Sequence, residues 1–588
     1  MNTPLDCEHL IGALLPQLCS LFPQQALGPS WVGSPDEGGL VSFEKELLPA
    51  GLSALGIGGG RAEGQGTYEF CSACALAYIH TLDRSGVAPE LREELIWRAR
   101  AGVEFLIRGQ RPGGLVDLIN TNYDSTPDTA FVAQALCAAV HAGSVLGTSD
   151  PAWEAFVAAV RRFIDRALPG LLLCDFHTPN HRWVIAGSLA IARSVFTGLP
   201  DVLPAIDQLL AETIDIDEEG AYLERSIGVY DAVCARSLYF IAEHAGRPVG
   251  SEAADRNLAF DLNLLNGDGG AETGLSHRQD LGTRTVPLGL GAWYLYAVKK
   301  HGRSEWAGVA EFLWRQTIEP KISDALWMLY VLTVAGDPVP AAAGCPLPDI
   351  MRAFPKNKFW RLRRGPLAVT VFGDSSRLLH LTHGMAELVS VRIDHAYFGA
   401  GTFYGDRMEV SATGVGLHSD GRRVPRRPGY DMPTGRAVPH HQFWEKAAER
   451  GLREVPPAAC SLEIEAKTDG LALRFTSMEA LAGVAAQIAL DFTPGGVWES
   501  DGCAFRPEKG QVIFLRDGMA RMRYGADVIE FGPGSAEGRE FWQMRGAEPV
   551  TGVVRVLIAL ETPVDHALTL RVMRGLRSAT GRGAARKH

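Results

Sequence analysis

A chain of 588 residues with 57 lysines and arginines against 68 aspartates and glutamates carries a formal charge of −11. That length exceeds what one core can hold and predicts at least two domains, while the acidic balance excludes a nucleic-acid partner, whose phosphates need clustered basic side chains. No apolar run approaches membrane-spanning length, so no membrane partner is expected, and ten cysteines scattered along the chain do not make a disulfide scaffold.

The N-terminal stretch MNTPLDCEHLIGALLPQLCSLF puts acids before its apolar run and lacks both a basic leader and a small-residue cleavage site. A cytoplasmic location is therefore the expectation, with a periplasmic or secreted one requiring a trimmed leader. Cys71 and Cys74 lie in TYEFCSACALAYIH, whose apolar spacing reads as a buried helix, and no second Cys/His pair stands nearby to complete a zinc site. From Tyr68 to Ala335 one segment after another repeats its apolar residues at helical spacing, as in ELREELIWRARAGVEFLIRG, PDTAFVAQALCAAVHAGSVL and HRWVIAGSLAIARSVF. Roughly a dozen such helices joined by short connections predict helical hairpins. Paired helices closing into a ring, an (α/α) toroid over residues 1–340, would bury every apolar stripe and leave a central cleft.

Four polar runs interrupt these helices. Asn120 to Ser125 precedes a helix, and its Asp124 and Ser125 read as caps. Thr178-Pro179-Asn180-His181-Arg182-Trp183 opens an apolar helix, Tyr222-Leu223-Glu224-Arg225-Ser226 leads to Tyr230, and Ser276-His277-Arg278-Gln279-Asp280 precedes Leu281-Gly282 in a loop. An amide, an imidazole, a guanidinium and a phenol are what a protein needs to neutralise a sugar carboxylate and move a proton beside it. Asn180 can donate an amide N–H and His181 or Arg182 a charged hydrogen bond to the carboxylate, although neighbours on a regular helix diverge and one of the three can be structural. Tyr230, with Tyr222 second, is the phenol that could move that proton. The alternative for Tyr230 is a packed helix tyrosine with its hydroxyl satisfied. Glu224 and Arg225 read either as an ordinary ion pair or as contacts to sugar hydroxyls and a second carboxylate, and the run holding His277, Arg278 and Asp280 reads as a substrate contact ahead of a solvated loop.

The segment GDPVPAAAGCPLPD marks a boundary, and from Pro355 the pattern changes to short strands punctuated by Gly, Asp and Pro, with no helices between them. This predicts an antiparallel β-sandwich over residues 355–575. Basic runs at Arg361-Leu362-Arg363-Arg364 and from Arg422 to Arg427 could line a groove for an anionic polymer, the long polar stretch HSDGRRVPRRPGYDMPTGRAVPHHQFWEK reads as a loop, and the tail 576–588 reads as a disordered basic end. His380, His383, Asp394, His395 and His418 supply the residue types of a structural zinc or calcium site, with His380, Asp394 and His418 as the metal candidates. Histidines at strand ends also bond backbone groups, and that reading stands beside the first.

A helical toroid followed by a β-sandwich, with Asn180-His181 and the segment GAYLERSIGVYDAV, resembles the heparinase II/III-like group of polysaccharide lyases. Within that group TPNHRWV, ERS-x-G-x-Y and SHRQD are similar to lyases that cleave rhamnosyl-glucuronate linkages. The resemblance implies β-elimination from a 4-O-linked uronate with no cofactor required, an acidic glycan as partner, and Asn180, His181, Tyr230 and His277 as catalytic residues. It also implies that His383 or His395 reaches the cleft from the second domain. The group's Gly-His-x-His-x-Asp motif is only approximated by His380-Leu381-Thr382-His383-Gly384. Two other classes remain open: a toroid glycoside hydrolase using carboxylates such as Glu224, Asp231, Glu272 and Asp280, and a glycan-binding protein without chemistry.

Overall fold

The computed structural model describes residues 5–29, 32–41, 64–118, 121–342, 344–396, 401–423, 429–430, 437–453, 457–477, 482–544 and 547–574. The tail 576–588, Asn120, Arg426 and Arg427 lie outside the described residues. Packing divides the chain into two units, one of Met1–Leu265 with Gly269–Leu347 and one of Pro348–His588 with Asn266–Asp268.

Among the described residues the first unit holds twelve α-helices: α1 (Cys7–Leu21), α2 (Gly64–Thr81), α3 (Pro89–Gly109), α4 (Thr126–Val145), α5 (Pro151–Leu171), α6 (Pro179–Val195), α7 (Leu203–Ala211), α8 (Tyr230–Ala245), α9 (Val249–Leu264), α10 (Leu288–His301), α11 (Val309–Gln316) and α12 (Ile322–Ala335). The even-numbered helices form a closed inner ring, in which α2 packs on α4, α4 on α6, α6 on α8, α8 on α10, α10 on α12, and α12 back on α2. Each is backed by an outer helix: α3 on α2, α5 on α4, α7 on α6, α9 on α8, α11 on α10 and α1 on α12. This is the expected (α/α) toroid.

Composition explains which helices lie inside. An inner helix touches two ring neighbours and its own outer partner, so it must be apolar or small almost all round. In α4 the run from Val132 to Val140 is buried throughout, and in α6 every residue from Asn180 to Ala192 is buried. The outer helix α5 instead buries Trp153, Phe156, Val160, Phe163, Ile164 and Ala167, three and four residues apart, and leaves Arg162, Asp165 and Arg166 exposed. Inner helices also approach closely: a Cβ at Gly187 of α6 would lie 2.7 Å from Nε2 of Gln134 on α4 and 2.9 Å from Cα of Ser237 on α8. The seam of the ring is stitched by its two chain ends, where Val339 N–H donates to the Leu5 carbonyl at 2.8 Å and Cys7 N–H donates to Asp337 Oδ1 at 3.1 Å.

The second unit pairs two sheets around one core that draws on both, including Leu362, Val369, Leu381, Val391 and Ile488 from one and Leu417, Leu462, Phe475, Ile529 and Leu570 from the other. Along Cys460–Lys467 burial alternates, with Cys460, Leu462 and Ile464 inward, as a strand with one buried face requires. Among the described residues neighbouring strands pair antiparallel with one exception, Val512–Phe514 lying parallel to Val554–Glu561. The expected sandwich forms. The groove expected along the first basic run does not: Arg361 and Arg363 are each 1% exposed. Arg361 donates to Thr370 Oγ1 and Asn266 Oδ1, both at 2.6 Å, and Arg363 to the Pro348 carbonyl at 2.8 Å, because alternate positions of this strand turn inward and their guanidinium groups must then find acceptors. No helix among the described residues is long and apolar enough to cross a membrane.

Candidate functional site

Six inner helices that all run in one direction bring six N-termini to one end of the ring, and there a cavity of about 690 Å³ opens. It is lined by Tyr68 and Glu69 from α2, Asp128 from α4, His181 from α6, Tyr230 and Arg236 from α8, Trp293 from α10 and Asp324 and Trp327 from α12, with His177, Arg278 and Lys321 from the loops before or between them. Helix N-termini present unpaired N–H groups and the positive end of the helix dipole, so this end of the ring favours an anion.

Of the residues singled out in the sequence, His181, Tyr230 and Arg278 line the cavity, as do Thr121 and Asn122 of the first polar run. His181 is 7% exposed, and its ring meets His177 edge-on at 4.7 Å. Burial, with a smaller push from His177, takes its pKa down to about 4, so the imidazole is uncharged at neutral pH. Tyr230 begins α8, with the Arg278 guanidinium 4.4 Å from its ring centre and the Gln279 side-chain amide donating to its hydroxyl oxygen at 3.0 Å.

The other residues of these runs hold the first three in place. Asn180 is fully buried and donates through Nδ2 to Glu224 Oε2 at 2.7 Å, while the other Glu224 oxygen pairs with Arg278. Asn180 and Glu224 are not among the cavity-lining residues; together they fix the guanidinium that is. Asp280 accepts from Ser226 Oγ at 2.9 Å, from Gly228 N–H at 3.0 Å and from Ser276 Oγ, bracing the loop that delivers Tyr230. A Cβ at Gly228 would stand 2.8 Å from the Asp280 carboxylate, so only glycine admits that brace. His277 is exposed and meets Arg225 at 3.2 Å, outside the cavity lining; Arg225 itself has a positive φ of 49°. Arg182 turns away, with its guanidinium 4.0 Å from the Trp183 ring centre and donating to the Thr213 carbonyl and to Glu212. Tyr222 is 1% exposed beneath the loop, and burial pushes its phenol well up.

Of the four carboxylates considered for hydrolysis, Glu224 and Asp280 are committed to the contacts above, Asp231 accepts from Ser226 N–H at 3.1 Å and Glu272 from Gly274 N–H at 2.8 Å. None lines the cavity. The carboxyls that do are Glu69, Asp128 and Asp324, which the sequence reading passed over, as it did Tyr68, His177, Arg236 and Lys321. Burial raises Glu69 to about 7 against the pull of Arg236 and Lys321, and it raises Asp324 as well. Burial lowers Arg236 to about 10, still a cation at neutral pH; it pairs with Gln134 and lies 4.1 Å from the Trp327 ring centre. The signal was present in the sequence, since a lone Glu or Arg inside an otherwise apolar helix is costly without a purpose.

In the second unit the histidines are separately engaged. His380 Nε2 lies 3.0 Å from Glu387, His383 Nδ1 lies 3.8 Å from Asp527, and His395 contacts the Gly401 carbonyl and Ser477 Oγ. Asp394 accepts from Thr402 Oγ1 at 2.8 Å, and His418 stands near Glu409 and Glu463. His380 and Asp394 belong to one sheet and His418 to the other, and among the described residues no three His, Cys, Asp or Glu side chains gather as a metal site.

No family model and no curated protein matches the chain. Among solved structures it is similar to heparan sulfate lyase HepC from Pedobacter heparinus, with 8% identity over 97% of this chain and 88% of that one and a TM-score of 0.44. It is similar also to the chondroitin AC lyase of Streptomyces coelicolor A3 in complex with chondroitin sulphate, with 14% identity, 97% and 80% coverage and a TM-score of 0.45. A third similar structure is Ara127N-Se, a GH127 β-L-arabinofuranosidase from Geobacillus stearothermophilus T6, with 11% identity, 97% and 98% coverage and a TM-score of 0.31.

Proposed function

We propose that the protein is a carbon–oxygen lyase that cleaves a 4-O-linked uronate in an acidic glycan by β-elimination. The observation that carries the reading is the meeting, at the N-terminal end of the inner ring, of Tyr230, the Arg278 guanidinium and the uncharged His181 in one cavity. Arg278, fixed from behind by Glu224 and Asn180, takes the uronate carboxylate, and the surrounding helix N-termini add to its field. With the carboxylate neutralised, the electrons of the C5–H bond have somewhere to go when Tyr230 removes the proton. They then form the C4–C5 double bond as the C4–O bond breaks, and the leaving oxygen takes a proton from Tyr230 or through His181. The reaction uses no cofactor. A rhamnosyl-glucuronate linkage is the finer proposal and rests on the sequence motifs around Asn180, Glu224 and His277.

The test is absorbance in the ultraviolet on mixing with uronate oligosaccharides, because elimination creates a conjugated unsaturated uronate. Carboxyl-reduced substrate should give no signal, since its carbanion cannot delocalise. A specific observation favours one other reading: Glu69, Asp128 and Asp324 put carboxyls in the same cavity, and Glu69 is raised toward neutrality as a general acid should be. Cleavage of native and reduced glycan at equal rates, with saturated products, would decide for hydrolysis.

A further inference from the structure

The ring order sets two sides of the cavity against each other. His181 on α6 and Tyr230 on α8 are neighbours, and across the ring from them stand α12 and α2, which carry Asp324 and Glu69. We propose that this far side, Glu69 with Asp324, Lys321 and Ser323, is the subsite for an uncharged sugar next to the uronate, and that it selects unsulfated uronate heteroglycans over sulfated ones. The inference rests on the elimination reading for the position of the uronate.

Three observations support it. With Arg278 given to the uronate carboxylate, the lining leaves Arg236 and Lys321 against Glu69, Asp128 and Asp324, so there is no spare cation for a sulfate. The cations nearest the far-side acids are already opposed by them: Arg236, reaching over from α8, and Lys321 both act on Glu69, and Lys321 acts on Asp324. The Glu69 carboxyl lines the cavity, where its oxygens can accept from sugar hydroxyls. Ser323 and the Lys321 ammonium supply donors beside it, and the indoles of Trp293 and Trp327, 5.9 Å apart, give an apolar floor for a ring without charge. A sulfate here would be set against two carboxyls, and rejecting a wrong ligand by an unpaired charge is an efficient source of specificity.

The experiment uses two oligosaccharides that share the same 4-O-linked glucuronate, one with an unsubstituted neighbouring sugar and one with that neighbour sulfated. Formation of unsaturated product gives kcat/KM, and binding is measured separately by tryptophan fluorescence with the Tyr230→Phe protein. The neutral-flanked compound should be preferred by at least about tenfold in both assays. In Glu69→Gln, which keeps the volume and removes the charge, that preference should fall toward one, chiefly through a lower KM for the sulfated compound. Lowering the pH from 8 to 6 should weaken the preference in the parent protein and leave the variant unchanged, a dependence that a merely structural glutamate would not produce. Equal or tighter binding of the sulfated compound, or an unchanged preference in Glu69→Gln, overturns the inference. Preferential binding of the neutral compound without any unsaturated product would sink the elimination reading and leave the subsite standing.

Discussion

Tyr230 carries the proposed chemistry on a single oxygen, which makes it testable with almost no change in packing. Tyr230→Phe should lower turnover by at least about 100-fold, with the melting temperature nearly unchanged, since only a hydroxyl that accepts from Gln279 is lost. Activity within a few-fold of the parent would remove Tyr230 from the mechanism. Asn180 behaves differently, because its amide is spent on Glu224 at full burial. Asn180→Ala should cost about 1–3 kcal/mol of stability by leaving a buried carboxylate oxygen short of a donor, so melting temperature and activity should fall together. If His181 works uncharged, kcat/KM should hold its value down to about pH 5 and fall only as the imidazole protonates near its depressed pKa of about 4. Because Glu69 at about 7 lines the same cavity, the profile is read in Glu69→Gln on the neutral-flanked substrate, and an acid limb near 6.5 there would remove His181 from the chemistry. At this scale the sequence was legible in kind: the polar runs around Asn180, Glu224, Tyr230 and Arg278 do meet. It was not legible which residues of each run face the cavity, since that depends on the helix phase and on partners some 44 and 54 residues away.

Among the elements, the inner helices were readable because they are apolar nearly all round, and the outer ones because they are not. Their closure into a ring was an inference from the need to bury every stripe. What the periodicity could not show is that Glu69, Arg236 and Asp324 fall near the starts of inner helices and so at the cavity, because a helical pattern carries no information about which end of a helix faces a cleft. The close approach at Gly187 gives a test of the packing itself. Gly187→Ala would press a methyl against the backbone of Ser237 and should destabilise by about 1–3 kcal/mol, in spite of alanine's better helix propensity. An unchanged or raised melting temperature would mean that α6 and α8 do not approach as described.

For the whole molecule, buried ionisable groups make stability depend on pH in two opposed ways. Glu69, at about 7, lies above its unfolded value, so the native state holds a proton that the unfolded state has released between about pH 4.5 and 7, and stability from this group declines as pH rises through that window. His80 and His181, each at about 4, and His244, at about 3, lie below theirs, so they cost stability as pH falls from about 6.5. The melting temperature should therefore peak between these limits. Glu69→Gln should gain on the parent at pH 8 and show a smaller difference at pH 5, and a gap that narrows on going to pH 8 would contradict the burial of this carboxyl.

The stitched seam of the ring has a consequence in time. Its hydrogen bond from Cys7 to Asp337 spans 330 residues, and closing a free chain of that length costs about 5 kcal/mol in entropy beyond a constant. Stepwise growth of the ring, hairpin by hairpin, spreads that cost, because each pair arrives on a neighbour already made. The helix at the beginning cannot share in this. At 5–20 residues per second, α1 waits roughly 15 to 65 s on the ribosome for α12 to be made, with α2, among the described helices, and its own turns to shelter Leu10, Ile11, Leu14 and Leu18. Among the described helices of the ring α1 is made before the rest and completes its burial only when α12 arrives, so a sticky helix persists for nearly the whole of the first unit's synthesis.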